Sequence, residues 1–475
     1  MCPPNPDFFM RHRLLPACLL VATLAGSASV PAAAQTPSRA ELRARIDSIV
    51  TSAMGQTGAP GISIAVVRGS DTIALKGYGL ADVENDVRVT DRSVFRIGSI
   101  TKQFTSAAVM KLVEQGRVRL DAPLSEYLPD YAGPGRRVTV HQLLNHTSGI
   151  PSYTGLGERF WTRSRLDLTH EQMLELFAAD SLEFEPGSRW AYNNSGYYLL
   201  GMLIEKVTGE SYGAHLSNTQ FGPLGLSQTL YCDEAPIVPH RAEGYDLEDG
   251  RIVNAAPLSM RPPGAAGALC STPRDLVRWA RALAGGRVVS ADSYRRMTTP
   301  TSLTGGDSRE YGYGLVPGRI EDHEFIAHGG GINGFNSFAS HLPALDVTIV
   351  VLANGPTNAA SVHERITRAV LGLPMPVEQP AAADVSIAEE ELARYTGTYD
   401  LSPAVPIQVR VFVSDGRLMG QGTGQAAIPL RFVGDHTFEA PEGVGIRMVF
   451  AVEDGRATSF TLHQAGAEIV ARRIE

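Results

Sequence analysis

The chain has 475 residues, more than one ordinary core accommodates, so two or three packed units are expected. With 43% apolar and 19% charged residues it has a globular rather than a disordered balance. Its 42 basic against 50 acidic side chains leave a formal charge of −8, which gives no electrostatic footprint for nucleic acid or an anionic membrane surface.

Residues 1–34 read as a secretory signal. Arg11 and Arg13 form a basic start, Leu14 to Leu24 is an apolar run broken only by Pro16, Cys18 and Thr23, and Ala32-Ala33-Ala34 offers a small-residue cleavage site. The run is shorter than the ~20 residues a bilayer span needs, and no later stretch is long and apolar enough, so no transmembrane helix is expected in the mature chain. Met10 is an alternative start to Met1. Cys2 and Cys18 leave with the signal; Cys232 and Cys270 remain. In an oxidising compartment these two can pair, and otherwise they are buried thiols; the sequence leaves both open.

A first helix is predicted from Ser38, which forms a capping box with Glu41, and Leu42, Ile46, Ile49 and Val50 fall on one face of it. The runs 61–67 and 72–78 read as a β-hairpin across Arg68-Gly69-Ser70-Asp71. Phe95 to Gly98 leads into a second helix over about 99–115. The middle, about 120–300, reads as short helices and loops, with helix starts at Thr139/Gln142, Thr169/Gln172 and Thr272-Pro273/Asp275, and a longer helix over 194–207. Strand character returns at 325–327, 337–342 and 347–352, followed by a helix near 361–371. The segment 373–386, rich in proline and alanine, reads as a linker. Residues 387–475 form a last unit of short β runs, among them 407–413, 418–420, 446–450 and 459–464, which suggests a small barrel or sandwich.

Three stretches carry chemistry. The first is Ser99-Ile100-Thr101-Lys102. A serine is a poor nucleophile until a base removes its proton, and a spacing of three on a helix places both side chains on one face. A serine at a helix start also lies among free backbone N–H groups that favour developing negative charge. Of the four lysines (76, 102, 111 and 206), only Lys102 has a serine three residues before it. Alone, Ser-x-x-Lys is a weak signal. The second stretch is Tyr192-Asn193-Asn194, after a Pro186-Gly187 turn and before a helix. A tyrosine beside a lysine can relay a proton, and an asparagine amide can hold a substrate carbonyl or the lysine head. The third is His328-Gly329-Gly330-Gly331, continuing the apolar Phe325-Ile326-Ala327, where glycines let a substrate lie against a strand edge.

In this order and spacing the three stretches resemble the serine β-lactamase and penicillin-binding protein superfamily, closest to its class C branch, over about residues 40–372. Leu143 to Pro151 (LLNHTSGIP) and Ala266 to Thr272 (AGALCST) also look like family segments, with structural roles near the rim of the site. The resemblance implies an α+β fold: an antiparallel sheet flanked by helices, with an inserted helical subdomain, over 38–372, and a small all-β, lipocalin-like domain over 387–475. It implies Ser99 as the acylated nucleophile, Lys102 and Tyr192 sharing base and acid duties, and Asn194, His328 and Gly330 binding substrate. The backbone N–H groups of Ser99 and Gly331 would form the oxyanion hole. No metal or organic cofactor is implied, and the partner is a small-molecule or peptide substrate.

His328 stands where class C β-lactamases usually carry lysine. A histidine is mostly neutral at pH 7, so peptide or ester hydrolysis is favoured over β-lactam hydrolysis. The alternatives are a true β-lactamase and a non-catalytic penicillin-binding or sensor protein. An α/β-hydrolase is disfavoured because Gly61-Ile62-Ser63-Ile64-Ala65 lacks the second glycine of its nucleophile elbow and His-Gly-Gly-Gly comes too late. A metalloprotease is disfavoured because neither His170-Glu171 nor His323-Glu324 completes His-Glu-x-x-His.

Overall fold

The computed structural model describes residues 38–131, 133–248, 250–375, 387–401, 408–414, 416–422, 428–440, 446–464 and 467–474. The expected signal segment and residues 376–386 of the expected linker lie outside them.

The first helix, α1 (Arg39–Thr57), starts on the capping box expected: Ser38 Oγ accepts from the Glu41 N–H at 3.2 Å, and the Glu41 carboxylate accepts from the Ser38 N–H at 2.8 Å. The hairpin follows as β1 (Gly61–Arg68) and β2 (Asp71–Asp82), with a short β3 (Val87–Arg88) beside it. Late in the chain come β4 (Val316–Ile320), β5 (His323–Ile332), β6 (Phe335–Leu342) and β7 (Val347–Ala353). All join one antiparallel sheet in the order β4-β5-β6-β7-β1-β2-β3, so segments 287 residues apart meet where Ile64 pairs with Val351. The central strands are apolar on both sides because both sheet faces are covered. Ile62, Ile64, Val66, Val347, Ile349 and Val351 pack against α1 and the helix Ala359–Leu371, whereas Ala65, Val350 and Leu352 point the other way. That alternation is the period-two geometry of a strand.

On the second face α2 (Thr101–Glu114) is backed by α3 (Asn194–Thr208), and α4 (Pro273–Ala284) packs directly on the strands; the helix Ala359–Leu371 is α5. Phe104 of α2 stacks on Trp279 of α4 with centroids 3.8 Å apart, and the indole N–H of Trp279 donates to Gln103 at 2.9 Å. The helix expected from Ser99 begins two residues later; Gly98–Ile100 form a tighter 3₁₀ turn in front of it. The other expected helix starts are present. Thr139 with Gln142 and Thr169 with Gln172 are capping boxes, and the Thr272 hydroxyl accepts from the Asp275 N–H. Within the insertion, strands Phe95–Arg96, Leu269–Ser271 and Leu230–Tyr231 form a small sheet, and a disulfide joins Cys232 to Cys270 there.

The C-terminal unit is a closed eight-stranded antiparallel barrel. Each strand pairs with the next, and the first (Gly397–Asp400) closes on the last (Ala467–Arg473) through Tyr399 and Arg473. Closure removes the strand edges that so small a sheet would otherwise expose. Tyr399, Val411, Leu418, Phe438, Phe450 and Phe460 fill the inside. Strands 397–400, 428–434, 437–439 and 467–473 were not named from the sequence, being either three or four residues long or interrupted by proline, arginine and glutamate. Among the described residues no helix is long and apolar enough to cross a membrane.

Candidate active site

The site lies where the turn before α2, the start of α3 and the edge of β5 converge. Ser99 sits in the 3₁₀ turn, so its backbone N–H belongs to a helix start without an intrahelical acceptor. Ser99 Oγ is 3.1 Å from Lys102 Nζ. Lys102 is fully buried, and its amine lies 2.8 Å from Asn194 Oδ1 and 2.8 Å from the Ala266 carbonyl oxygen. The two latter partners only accept. A neutral amine has two hydrogens for them and a lone pair left to receive the Ser99 hydroxyl proton. Desolvation holds the Lys102 pKa well below the ordinary lysine value, which favours that neutral form.

Tyr192 lies over the same amine, with Nζ 4.7 Å from its ring centroid, and its phenol hydrogen-bonds to Ser99. Its side chain is 36% exposed at the mouth of the site; desolvation of the phenol raises its pKa, and the Ser99 hydrogen bond partly opposes the rise. Asn193 caps α3 by accepting from the Gly196 N–H at 2.7 Å and donates to the Ile150 carbonyl. That cap aims the next residue, Asn194, at the lysine. The amide nitrogen of Asn194 donates to Thr154 Oγ1 at 3.0 Å, so both ends of the amide are engaged.

The Gly-rich stretch forms the opposite wall. It continues β5 as a strand rather than a flexible turn. A Cβ on Gly330 would lie 2.0 Å from the Ile97 carbonyl oxygen, so this glycine exists for close packing against the segment leading to Ser99. Gly330 was expected to bind substrate; it does not line the cavity in front of Ser99, and its neighbour Gly331 does. The Gly331 backbone comes so near Gly98 that a Cβ there would be 3.0 Å from Gly331 N. Ser99 and Gly331 thus border one cavity of about 90 Å³, together with Tyr153, Thr154, Phe160, Trp161, Asn194 and Leu258 among others, none of them ionised.

His328, also expected to touch substrate, is only 5% exposed and has both ring nitrogens occupied. Nδ1 is 2.6 Å from the Gly329 carbonyl oxygen and Nε2 is 3.0 Å from the Tyr311 hydroxyl. Desolvation first, then repulsion from Lys102 when that amine is protonated, push its pKa down to about 4, so the imidazole is neutral at pH 7.

Residues 46–373 match the protein family described as Beta-lactamase. The chain belongs to the beta-lactamase family. It is 30% identical over 321 residues to Protein flp of Staphylococcus aureus (strain NCTC 8325 / PS 47), a match covering 65% of this chain and 62% of that protein. The chain thus spans less than two thirds of that relative's length. It is 27% identical over 367 residues to a D-aminopeptidase of Gluconobacter oxydans (strain 621H), covering 74% of this chain and 67% of the relative. Among solved structures, the D-amino acid amidase of Ochrobactrum anthropi SV3 superposes with a TM-score of 0.62 at 28% identity, covering 70% of this chain and 99% of that one. The octameric penicillin-binding protein homologue of Pyrococcus abyssi gives 0.63 at 27% identity, covering 90% and 100%.

Four further residues of this beta-lactamase-family site went unread as such in the sequence. His146, in a segment assigned a structural role, lies fully buried beneath Tyr192 with ring centroids 4.4 Å apart. Its Nδ1 accepts from the Asn193 N–H at 3.1 Å, and its Nε2 has no hydrogen-bond partner among the described residues. Tyr311, Tyr197 and Trp190 close around it at centroid distances of 4.6, 5.1 and 5.9 Å. The other rim segment supplies the Ala266 carbonyl that holds Lys102. The signal available in the sequence was faint, the alternation Tyr311-Gly312-Tyr313-Gly314; only the structure shows that a Cβ on Gly314 would lie 2.5 Å from the Lys102 carbonyl oxygen and that His146 adopts the left-handed conformation (φ 63°).

Proposed function

We propose that this protein is a serine hydrolase that cleaves amide or ester bonds of D-amino-acid substrates through an acyl-enzyme on Ser99. One observation carries the reading: a fully buried lysine amine lies 3.1 Å from the serine hydroxyl and 2.8 Å from each of two groups that can only accept, Asn194 Oδ1 and the Ala266 carbonyl, which in the neutral amine leaves the lone pair for the Ser99 proton. Lys102 takes the Ser99 proton as Oγ attacks the substrate carbonyl. Negative charge on the carbonyl oxygen develops between the N–H groups of Ser99 and Gly331. Tyr192, hydrogen-bonded to Ser99, passes a proton to the leaving amine or alkoxide, the C–N or C–O bond breaks, and water then hydrolyses the ester on Ser99 by the reverse relay. Asn194 holds the lysine head, leaving Thr154 and the aromatic wall of Tyr153, Phe160 and Trp161 to face the acyl side chain.

The D-amino-acid preference is supported by the named activities of the D-aminopeptidase and D-amino acid amidase relatives. The neutral His328 argues against efficient β-lactam hydrolysis, since a β-lactam carboxylate would meet no cation there. Export is part of the reading: the basic-apolar-small pattern of residues 1–34 and the Cys232–Cys270 disulfide both fit an oxidising compartment. N-terminal sequencing of protein recovered from the cell exterior or periplasm checks it; an intact residue 1 there removes the cleavage claim.

The test is a panel of D- and L-amino-acid amides, a D-Ala-D-Ala peptide, nitrophenyl esters and nitrocefin, with intact-mass detection of an adduct on Ser99. Turnover of D-amides or esters with a Ser99 adduct is expected. Turnover that survives Ser99→Ala removes the mechanism.

A further inference from the structure

Building on the hydrolase reading, we infer that Tyr311 is a specificity-determining residue: by donating to His328 Nε2 it locks the strand-edge imidazole in its uncharged Nδ1–H form, so the site favours substrates without a carboxylate beside the scissile bond. The inference starts from donor and acceptor inventory. Nδ1 of His328 faces the Gly329 carbonyl at 2.6 Å, and a carbonyl can only accept, so Nδ1 carries the hydrogen. In a neutral ring Nε2 then has only a lone pair, and the hydroxyl 3.0 Å from it, that of Tyr311, must be the donor. Protonating His328 would place a hydrogen on Nε2 pointing at the Tyr311 oxygen. The Tyr311 hydroxyl would then have to give up His328 and turn its own hydrogen toward the neighbouring Tyr197 hydroxyl, inside a cage of rings.

That cage is well defined. Tyr311 is 5% exposed, and its ring lies 4.6 Å from His146, 5.7 Å from Trp190 and 6.2 Å from Tyr192, centroid to centroid. The titratable groups around His328 are Lys102 from α2, Tyr192 from the start of α3, His146 from the segment after Thr139–Leu144, and Tyr311 from the loop before β4. None of the four is an anion at neutral pH that would draw a proton onto the imidazole: Lys102 is a base, His146 is held neutral by burial, and both tyrosines are raised by burial. Two glycines hold Tyr311 in place: a Cβ on Gly312 would lie 1.9 Å from the Met297 carbonyl oxygen, and one on Gly314 2.5 Å from the Lys102 carbonyl oxygen.

The experiment compares wild type, Tyr311→Phe and the double variant Tyr311→Phe/His328→Gln. The substrate pair is N-acetyl-D-Ala-D-Ala and its C-terminal amide, assayed from pH 5 to 8 alongside fluorophosphonate labelling of Ser99. A thermal melt of each variant reports folding, and ¹⁵N-detected imidazole spectra report the His328 tautomer. Wild type is expected to prefer the amide at least tenfold in kcat/KM at every pH, with the Nδ1–H signature throughout. In Tyr311→Phe the preference should shrink at least fivefold at pH 5, through a lower KM for the carboxylate substrate, while Nε2 becomes protonated as pH falls. The double variant should lose that pH dependence. A folded Tyr311→Phe with unchanged preference and unchanged spectra overturns the inference and leaves the hydrolase reading standing. A wild type that neither labels at Ser99 nor cleaves either substrate overturns the hydrolase reading, and the specificity with it.

Discussion

The two faces of the seven-stranded sheet obey different rules. Against α1 and α5 the sheet presents Ile62, Ile64, Val66, Ile349 and Val351, and the cluster there is almost wholly aliphatic. Each such side chain contributes about 1.5–3 kcal/mol on burial and asks nothing of its neighbours but shape. The opposite face covers Thr101, Lys102, Gln103, Thr105 and Ser106, all buried along α2, where every polar group requires a partner. Thr105 Oγ1 donates to the Ala265 carbonyl at 2.7 Å and Thr101 Oγ1 accepts from the Leu269 N–H at 3.1 Å, so α2 is tied to the segment that presents the Ala266 carbonyl to Lys102. One face holds the molecule together; the other holds an amine out of water in a fixed direction. The lesson is that a reactive lysine is built by hydrogen-bonding everything around it except the direction in which it reacts.

Substitutions on the two faces should separate stability from activity. The largest effect is expected from Ser99→Ala: kcat/KM on the best substrate falls at least about 1,000-fold, while stability in urea changes by less than about 1 kcal/mol. Lys102→Met should cost about as much, and the double variant little more, because the two act as a unit; additive losses would break the pairing. Next, Ile366→Ala on α5 removes a fully buried side chain and should cost about 2–5 kcal/mol in chemical denaturation, with kcat/KM of the folded enzyme unchanged within twofold. Thr105→Val on the other face should cost about 1–3 kcal/mol, by stranding the Ala265 carbonyl and the Tyr212 hydroxyl, and should also lower kcat severalfold. An activity loss from the isoleucine variant, or none from the threonine variant, would merge the two faces again.

Smaller effects come from protons. kcat/KM should fall as pH drops through the depressed pKa of Lys102, since protonation removes the lone pair that receives the serine hydrogen. On the aliphatic face His363, bonded to Ser340 Oγ at 2.7 Å, has its pKa lowered by burial to about 3. The unfolded chain binds a proton there near pH 6.5 and the folded one does not. Its contribution is therefore complete above that pH and falls by up to about 1.4 kcal/mol per unit as pH drops toward 3. Urea midpoints measured from pH 7 to 4 in wild type and His363→Gln should diverge by that slope; parallel curves would exclude His363 as the acid-sensitive group.

Local rules were legible from residues alone. The Ser38/Glu41, Thr139/Gln142 and Thr169/Gln172 boxes and the serine–lysine spacing depend on neighbours within four positions, the hairpin of the 61–67 and 72–78 runs on the short turn between them, and all are present in the structure. Part of the candidate site was legible too, because Ser99 and Lys102 lie on one turn of chain and Tyr192 and Asn194 precede a helix. The Cys232–Cys270 pairing, left open by the sequence, required the two short strands at 230–231 and 269–271 to lie side by side.

What the sequence by itself determined was the chemistry available: a helix-start serine with a lysine one turn on, a tyrosine–asparagine cap, a glycine-rich strand and a small β unit. Only the tertiary structure decided which atoms those groups face. Long-range pairing of β1 with β7 and the packing of α2 against Ala265 and Ala266 set the lysine's three partners, buried His146 beneath Tyr192, turned Gly330 away from the cavity, and gave His328 a tyrosine donor. The physical reason is that a hydrogen bond between residues 17, 92 or 164 positions apart leaves no periodic trace in composition or spacing; it exists once the chain has closed around it.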